Sequence, residues 1–137
     1  SMTALWPTES FLKKGEKDLN AYSIILEYQS PEVNILLTGD APPHVLRDIM
    51  QENPELSEGI DILKVPHHGS DNGLTQEFLD FINPDVSVIS VGEGNRYSHP
   101  SQSVLEMFQD THRKYLRTDE DGTISYSFRP GEVFLQE

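Results

Sequence analysis

Two adjacent histidines at the end of an apolar segment are the most chemically informative residues of this sequence. Residues 61–65 have the mainly apolar composition of a strand, and His67, His68, Gly69 and Ser70 follow almost directly. The end of a rigid strand can aim imidazole nitrogens at a fixed point, which is how proteins usually present metal ligands. Because neighbouring residues that leave a strand point in opposite directions, we do not expect both histidines to bind the same ion.

A second apolar segment, residues 34–38, ends in Gly39 and Asp40. A carboxylate at the end of an apolar strand is costly unless it is paired or bound to a metal, and its two oxygens suit a position between two ions. The alternative is that Asp40 caps a helix that begins near Pro42. Lys64, inside the other apolar segment, is expected to reach solvent or to pair with a carboxylate.

Ser70 supplies a hydroxyl next to the histidines. A serine-hydrolase arrangement with His68 as the base and Asp71 as its orienting carboxylate is disfavoured, because near neighbours in a loop rarely reach that geometry and the sequence has no Gly-x-Ser-x-Gly motif. We expect Ser70 to contact a phosphate or to hydrogen-bond a metal ligand instead.

A polar loop, residues 95–99, follows the apolar segment 86–91. Loops at this position in α/β folds commonly contact the substrate, and Asn95 is a candidate for such a contact. Arg96 offers a two-pronged donor to a phosphate, and His99 is able to contact a phosphate or to protonate a leaving group. The alternative is structural, with the loop capping the next helix through its serine or through His99.

Composition limits the possible functions. The chain has 137 residues, which suits one domain over residues 1–137, and its formal net charge of −13 argues against a module that grips nucleic acid through a basic face. The cluster of Lys13, Lys14 and Lys17 is predicted to be a solvated loop. There is no cysteine, so disulfides and thiolate sites are excluded, and no apolar run has the length of a membrane span. Residues 1–2 are interpreted as a cloning remnant.

Strand-like and helix-like segments alternate through the middle of the chain. Alternating or continuous apolar runs predict strands over residues 22–28, 33–38, 60–65, 86–91, 115–118, 123–128 and 133–135, the last two around Pro130 and Gly131. Helical spacing of apolar residues predicts helices over residues 42–50, 74–82 and 100–110. This alternation predicts an α/β fold with a mixed sheet, parallel neighbours in its centre and hairpins at its ends.

Several short strings occur in the same order as in one known family. They are Asn20-x-x-Ser23-Ile-Ile-Leu, Leu36-Leu-Thr-Gly-Asp40, Leu63-Lys-Val-Pro-His-His-Gly-Ser70, Ser90-Val-Gly, Asn95-Arg-Tyr-Ser-His99-Pro100 and Arg117-Thr-Asp-x-Asp-Gly122. Together they resemble the carboxy-terminal half of the metallo-β-lactamase-fold domain of the ComEC family of bacterial DNA-uptake proteins. The resemblance implies half of an αββα sandwich, with helices on one face of the sheet.

The resemblance also implies roles for individual residues. Asp40 takes the place of the carboxylate that bridges two metal ions, His68 that of a ligand, and His67 that of a group on the substrate side that transfers protons. Asn20 stands where the family usually has a histidine, so it is either a weak ligand, a support for one, or a lost position. The family's His-x-His-x-Asp-His motif, which supplies much of the metal site, does not occur in this sequence.

Three functions follow from this resemblance. The first is a metal-dependent hydrolase of phosphodiesters, using two zinc or manganese ions and acting on DNA during uptake, although binding of metal by this chain alone is doubtful. The second is a non-catalytic structural or regulatory half-domain. The third is a hydrolase of a small phosphoester or cyclic ester. A membrane channel, the other half of the domain or a second copy of the chain are the expected partners, and a ComEC-type protein would face outside the cytoplasm.

Overall fold

A mixed six-stranded sheet forms the centre of the computed structural model, which describes residues 1–129 and 132–136, with side chains described for residues 1–128. The strand order in space is the same as the order along the chain. The six strands are β1 (Met2–Trp6), β2 (Ile25–Gln29), β3 (Asn34–Leu37), β4 (Ile62–Lys64), β5 (Val86–Ile89) and β6 (Tyr115–Arg117). Two further strands, β7 (Ser125–Arg129) and β8 (Glu132–Gln136), form a separate antiparallel hairpin.

Five α-helices and three short 3₁₀ turns connect the strands. The helices are α1 (Glu9–Lys14), α2 (Pro43–Glu52), α3 (Gln76–Ile82), α4 (Gln102–Asp110) and α5 (Thr118–Asp121). The 3₁₀ turns are Leu19–Tyr22, Pro54–Ser57 and Pro66–Gly69. The predicted α/β fold with a mixed sheet is therefore confirmed.

Strand direction determines where the chemically active residues meet. β1, β2 and β3 are antiparallel to one another, whereas β3, β4, β5 and β6 run parallel. The carboxyl ends of parallel strands lie at the same edge of a sheet, and Leu37, Lys64 and Val88 are aligned there across β3, β4 and β5. The segments that carry Asp40, His68 and the polar loop all leave the sheet at this edge.

The main core lies on one face of the sheet, which we call the inner face. Strand residues such as Leu36, Leu63 and Ile89 pack there against apolar side chains of three helices. These helical residues are Val45, Leu46 and Ile49 of α2, Phe78, Leu79 and Ile82 of α3, and Val104 and Phe108 of α4. The periodic apolar positions of each helix explain why these helices were predictable from sequence.

The opposite, outer face carries a smaller cluster and an open part. Val33, Ile62 and Val86 are buried there, and the side chains of Tyr126 and Phe128 from β7 pack against them. Over β1 to β3 the outer face remains open, with Met2 64% exposed, Tyr28 36% and Leu37 37%. This apolar surface is compatible with the predicted second copy or other half-domain, and that association stays a prediction.

The structure corrects several predicted boundaries. The segment that holds Lys13 and Lys14 is not a loop: it is helix α1, because Thr8 caps the helix by accepting a hydrogen bond from the Phe11 amide at 3.3 Å and Phe11 is buried. Tyr22 belongs to a 3₁₀ turn, so the strand predicted from it begins only at Ile25. The turn predicted at Pro130 and Gly131 lies outside the described residues.

Two alternatives to the chemical roles are also wrong. Helix α2 has Pro42 as its N-cap, so Asp40 does not cap it. Helix α4 begins at Gln102 with Ser101 as its N-cap, so neither Ser98 nor His99 caps it.

None of the helices described in residues 1–129 and 132–136 is long and apolar enough to cross a membrane.

Candidate functional site

The turn after β3 presents Asp40 at the edge of the sheet. The hydroxyl of Thr38, which is buried, donates to the carbonyl of Lys64 at 2.6 Å, so the end of β3 is tied to β4. The amide of Asp40 donates to the Ser23 hydroxyl at 3.0 Å. The backbone that carries the carboxylate is therefore held from both sides, by Lys64 and by Ser23.

The turn after β4 presents the two histidines in an unusual backbone conformation. His67 has φ 48° and ψ 43°, and His68 has φ 55° and ψ 23°, so both lie in the left-handed region. This region is sparsely populated by residues other than glycine and persists where surrounding contacts enforce it, often at functional sites. One such contact is the His67 amide, which donates to the Gly39 carbonyl at 3.1 Å and joins the two turns.

His68 faces Asp40 with a fixed ring orientation. Its Nδ1 lies 2.6 Å from the Ser90 carbonyl oxygen, and because a carbonyl only accepts, Nδ1 carries the proton. Nε2 lies 3.4 Å from Asp40 Oδ1. In the neutral ring Nε2 presents a lone pair, so these two atoms can hold a cation between them; in the imidazolium Nε2 presents a proton to the carboxylate instead. Orientation of an imidazole by a backbone carbonyl is also typical of metal ligands.

Lys64 adds a positive charge beside this pair. Its Nζ donates to the Gly39 carbonyl at 2.6 Å and lies 3.8 Å from Asp40 Oδ1, which confirms the expected pairing with a carboxylate. Burial of this side chain lowers the pKa of its ammonium group, and the charge of Asp40 partly opposes that effect. Lys64 thus supplies a positive charge next to Asp40, a role that its position inside a strand did not by itself indicate.

The donor chemistry fits part of a metal site. Two ligands that each lie roughly 2.0–2.1 Å from one tetrahedral ion are roughly 3.3–3.4 Å apart, which is close to the separation of His68 Nε2 and Asp40 Oδ1. No group of three or more His, Cys, Asp or Glu residues in the part of the chain that the structure describes is arranged to hold a metal. The described residues therefore provide two donors, whereas zinc usually takes three or four protein ligands.

The His67 ring lies close to both other histidine rings of the site, with its centroid 6.4 Å from that of His68. The ring centroids of His67 and His99 are 5.8 Å apart, and within the described residues the Nδ1 atoms of both rings are buried without a hydrogen-bond partner. Burial lowers the pKa of His99, and the neighbouring charges of His67 and His68 lower it further. Both effects favour the neutral form of the His99 ring, which is able to accept a proton.

A pocket of about 200 Å³ opens beside these rings. Its lining residues are His68, Val91, Gly92, Asn95, Tyr97 and His99. Asn95 holds the loop that forms the wall of the pocket, because its Oδ1 accepts from the amides of Tyr97 and His99 at 3.2 and 3.0 Å. Its Nδ2 donates to the carbonyls of Gly92 and His99 at 3.1 and 2.7 Å.

The remaining predicted residues lie around this centre. The Arg96 guanidinium is at the surface and donates to the Tyr97 hydroxyl at 2.6 Å. Ser70 is buried, and its hydroxyl bonds within its own turn, accepting from the Asn72 amide at 3.1 Å. Asn20 lies in the 3₁₀ turn that leads to Ser23, and it is Ser23 that contacts the turn of Asp40. The roles predicted for these residues stay predictions.

Sequence reasoning missed two contacts of the site. Neither Ser23 nor the Ser90 carbonyl was a candidate, although each directly orients one of the two donors. Ser23 lies within one of the strings that carried the family resemblance, which was the available signal. Ser90 also lies within such a string, but its residue type does not point to this contact, because any residue at that position offers the same backbone carbonyl.

Several known proteins are similar in sequence to this chain along most of its length. The chain is 36% identical over 110 residues to ComE operon protein 3 of Bacillus subtilis, which covers 80% of this chain and 14% of that protein. It is 28% identical over 129 residues to Competence protein ComA of Neisseria gonorrhoeae, which covers 92% of this chain and 18% of that protein. The chain is related to competence proteins.

A third relative is Recombination protein 2 of Haemophilus influenzae, which is 27% identical over 118 residues, or 86% of this chain and 14% of that protein. The chain thus spans less than a fifth of the length of these curated relatives. No protein-family model matches the chain. The similarity to competence proteins agrees with the link to DNA uptake that the sequence strings predicted.

Proposed function

We propose that this chain contributes part of the active site of a metal-dependent hydrolase that cleaves phosphodiester bonds during competence-related DNA uptake. The observation that carries the proposal is the convergence of Asp40 Oδ1 and His68 Nε2 at 3.4 Å, with the tautomer of His68 fixed by the Ser90 carbonyl. The names of the relatives support the competence setting. In this proposal, residues outside this sequence supply the remaining ligands.

Within the proposed site, Asp40 and His68 would hold zinc or manganese, and the protein would have two such ions when the site is complete. A bound ion would supply a Lewis acid and an activated water. His99 would exchange a proton with the substrate or with water, and His67, whose ring centroid lies 5.8 Å from that of His99, would be the neighbouring proton-transfer group. Arg96 provides a positive charge at the rim for the phosphate.

A second candidate function is a half-domain that binds a partner without catalysis. The presence of only two donors among the described residues favours this alternative. In that case the Lys64 ammonium neutralises Asp40 in place of a metal, and the site is a structural ion pair. The third candidate, hydrolysis of a small phosphoester or cyclic ester, uses the same donors and differs only in substrate.

Metal titration of the chain by calorimetry separates the first two candidates. Because the described residues offer only two donors, we expect weak zinc or manganese binding by the unchanged chain, and at least about tenfold weaker binding after Asp40→Asn or after His68→Gln, since each change removes one of them. His112→Gln removes an exposed histidine far along the sequence and is the matched control. Equal affinity of all four proteins would contradict the proposal.

Hydrolysis of bis(4-nitrophenyl) phosphate compared with single-stranded DNA then distinguishes the substrate. Cleavage of DNA that depends on both Asp40 and His68 would support the nuclease, and cleavage of the small diester alone would support the third candidate. If neither is cleaved while metal binds normally, the chain needs its missing ligands for turnover, and the fragment is inactive as expected. A complex that includes the relevant upstream segment of the parent protein is then the sample to assay.

A further inference from the structure

Tyr97 is an exposed aromatic residue at the mouth of the pocket. Its side chain belongs to a residue that is 63% exposed, yet it lines the same pocket as His68 and His99. Its ring lies nearly parallel to the His99 ring, with an interplanar angle of 17° and centroids 5.9 Å apart. An exposed ring of this size loses solvent contact when a flat partner stacks on it, and His99 and Arg96 cover the Tyr97 ring only in part.

Arg96 makes this ring a stronger platform. Its guanidinium carbon lies 4.8 Å from the centre of the Tyr97 ring, and the same side chain holds the tyrosine hydroxyl through a 2.6 Å hydrogen bond. A cation beside an aromatic ring attracts both a π-face and a phosphate. The two adjacent side chains thus combine a stacking surface and a positive charge.

The residues that line the pocket carry no negative charge that would repel an anion. The six residues that line it include no carboxylate, although the chain as a whole carries a net charge of −13. Its volume of about 200 Å³ is smaller than the roughly 300–1,000 Å³ of a drug-sized site, so only one unit of a longer ligand enters it. A ligand that places a phosphate by the histidines therefore places its neighbouring group against the exposed ring of Tyr97.

We infer that Tyr97 is a specificity-determining residue that stacks on the nucleobase flanking the phosphate, and that Arg96 supports this stack. The inference rests on the proposed function, because it places the phosphate at the histidines. Stacking is tolerant of base identity, since every base has a π-face. The site then selects single-stranded substrates, whose bases are free to turn onto the ring, over small diesters that lack a base.

The test is a comparison of two oligonucleotides with the same number of phosphates. One is a thymidine hexamer and the other an abasic hexamer, and binding is measured by competition anisotropy at low salt with a chelator present. We expect the unchanged chain to prefer the thymidine hexamer by about 5- to 150-fold, the range expected for stacking of one base. Tyr97→Ala abolishes this preference, while Tyr97→Phe, which keeps the ring but loses the hydroxyl, retains it.

Tyr28→Ala is the matched control, because Tyr28 is also an exposed tyrosine but lies on the outer face of the sheet. It should keep the full preference. Equal binding of both hexamers by the unchanged chain, no binding of either, or a preference that survives Tyr97→Ala would overturn the inference. The chelator makes the result independent of metal and of cleavage, so a failure here and a failure of the proposed hydrolase are separate outcomes.

Discussion

The turn after β4 and the loop after β5 both leave the same edge of the sheet, but they are held in different ways. The turn, residues 66–70, is largely buried, and its backbone bonds to the neighbouring turn and to the start of helix α4: the Ser101 amide donates to the Gly69 carbonyl at 2.8 Å. The loop, residues 92–99, is mostly exposed and is organised by the side chain of Asn95.

The buried turn and the exposed loop are suited to different tasks. The backbone and packing of the turn fix the position of His68 within a narrow range, which a group that shares a cation with Asp40 requires. The loop presents Tyr97 and Arg96 at the surface, where side chains adjust to a ligand. In the proposed function, the rigid turn would set the chemistry and the exposed loop would contact the substrate.

The largest effect is expected from Gly69→Ala in the turn. Gly69 has φ 78°, and an added Cβ would lie 2.6 Å from the Pro100 Cβ, so both the backbone and the packing oppose a side chain. We expect the free energy of unfolding to fall by about 2–5 kcal/mol, from left-handed strain and overpacking together. Urea denaturation measures this loss.

The matched control for this change is Gly94→Ala in the exposed loop. Gly94 also has a positive φ, 61°, but nothing lies within 4 Å of an added Cβ, so only the backbone strain remains, about 1–2 kcal/mol. The difference between the two variants isolates the contact with Pro100. Equal losses of unfolding free energy in the two variants would show that Pro100 does not pack tightly against Gly69.

A smaller effect is expected from Asn95→Ala in the loop. The variant loses every side-chain hydrogen bond that orders this loop, yet the groups are close to solvent, so we expect a stability loss of only about 1 kcal/mol. Hydrogen exchange should become faster at the amides of Tyr97 and His99, which lose their acceptor. Asn95→Asp keeps the acceptor oxygen, so the amides of Tyr97 and His99 should stay protected from exchange. If these amides also exchange faster in Asn95→Asp, the loop is ordered instead by the hydrogen bonds that the Asn95 Nδ2 donates.

The smallest effect concerns the charge of His99. Its pKa is lowered from the ordinary value of 6.5 by burial first and by His67 second, so its NMR titration midpoint should lie below 6.5. His67→Asn removes the second cause and should raise the midpoint. As pH falls below 6.5, the unfolded chain takes up this proton before the folded chain does, so the contribution of His99 to stability decreases in that window. A midpoint at or above 6.5 would contradict the burial of this ring.

Much of the fold was predictable because its helices and central strands have strong apolar patterns. Helices α2, α3 and α4 each bury a periodic set of side chains, and β3, β4 and β5 are short apolar runs. Apart from the four-residue helix α5, which was predicted as the end of a strand and a turn, the missed α-helix and strand lie at the amino terminus. Strand β1 is an edge strand that depends on pairing with β2, and helix α1 has only six residues, so neither has a pattern long enough to detect.

The parts of the site that lie directly after strands were predictable from the sequence. The parts that depend on contacts between residues distant in the sequence were not. Asp40 and His68 were expected to share a site because each follows an apolar strand and the family resemblance gives both the place of metal ligands, and the structure brings them to 3.4 Å. The orientation of His68 by the Ser90 carbonyl depends on a backbone atom 22 residues away. The left-handed conformation of both histidines has no signature in the residue types, since neither is glycine.

The spatial order of the six strands has a consequence for how the chain folds. Each strand pairs with the one that precedes it in sequence, so every pairing closes a connection of moderate length and no strand must insert between two that are already paired. During synthesis, each new strand adds to an open edge as soon as it leaves the ribosome. Ribosome-bound chains of increasing length should therefore gain protease resistance in steps, one for each strand added, and a single late transition would show that the sheet instead assembles all at once.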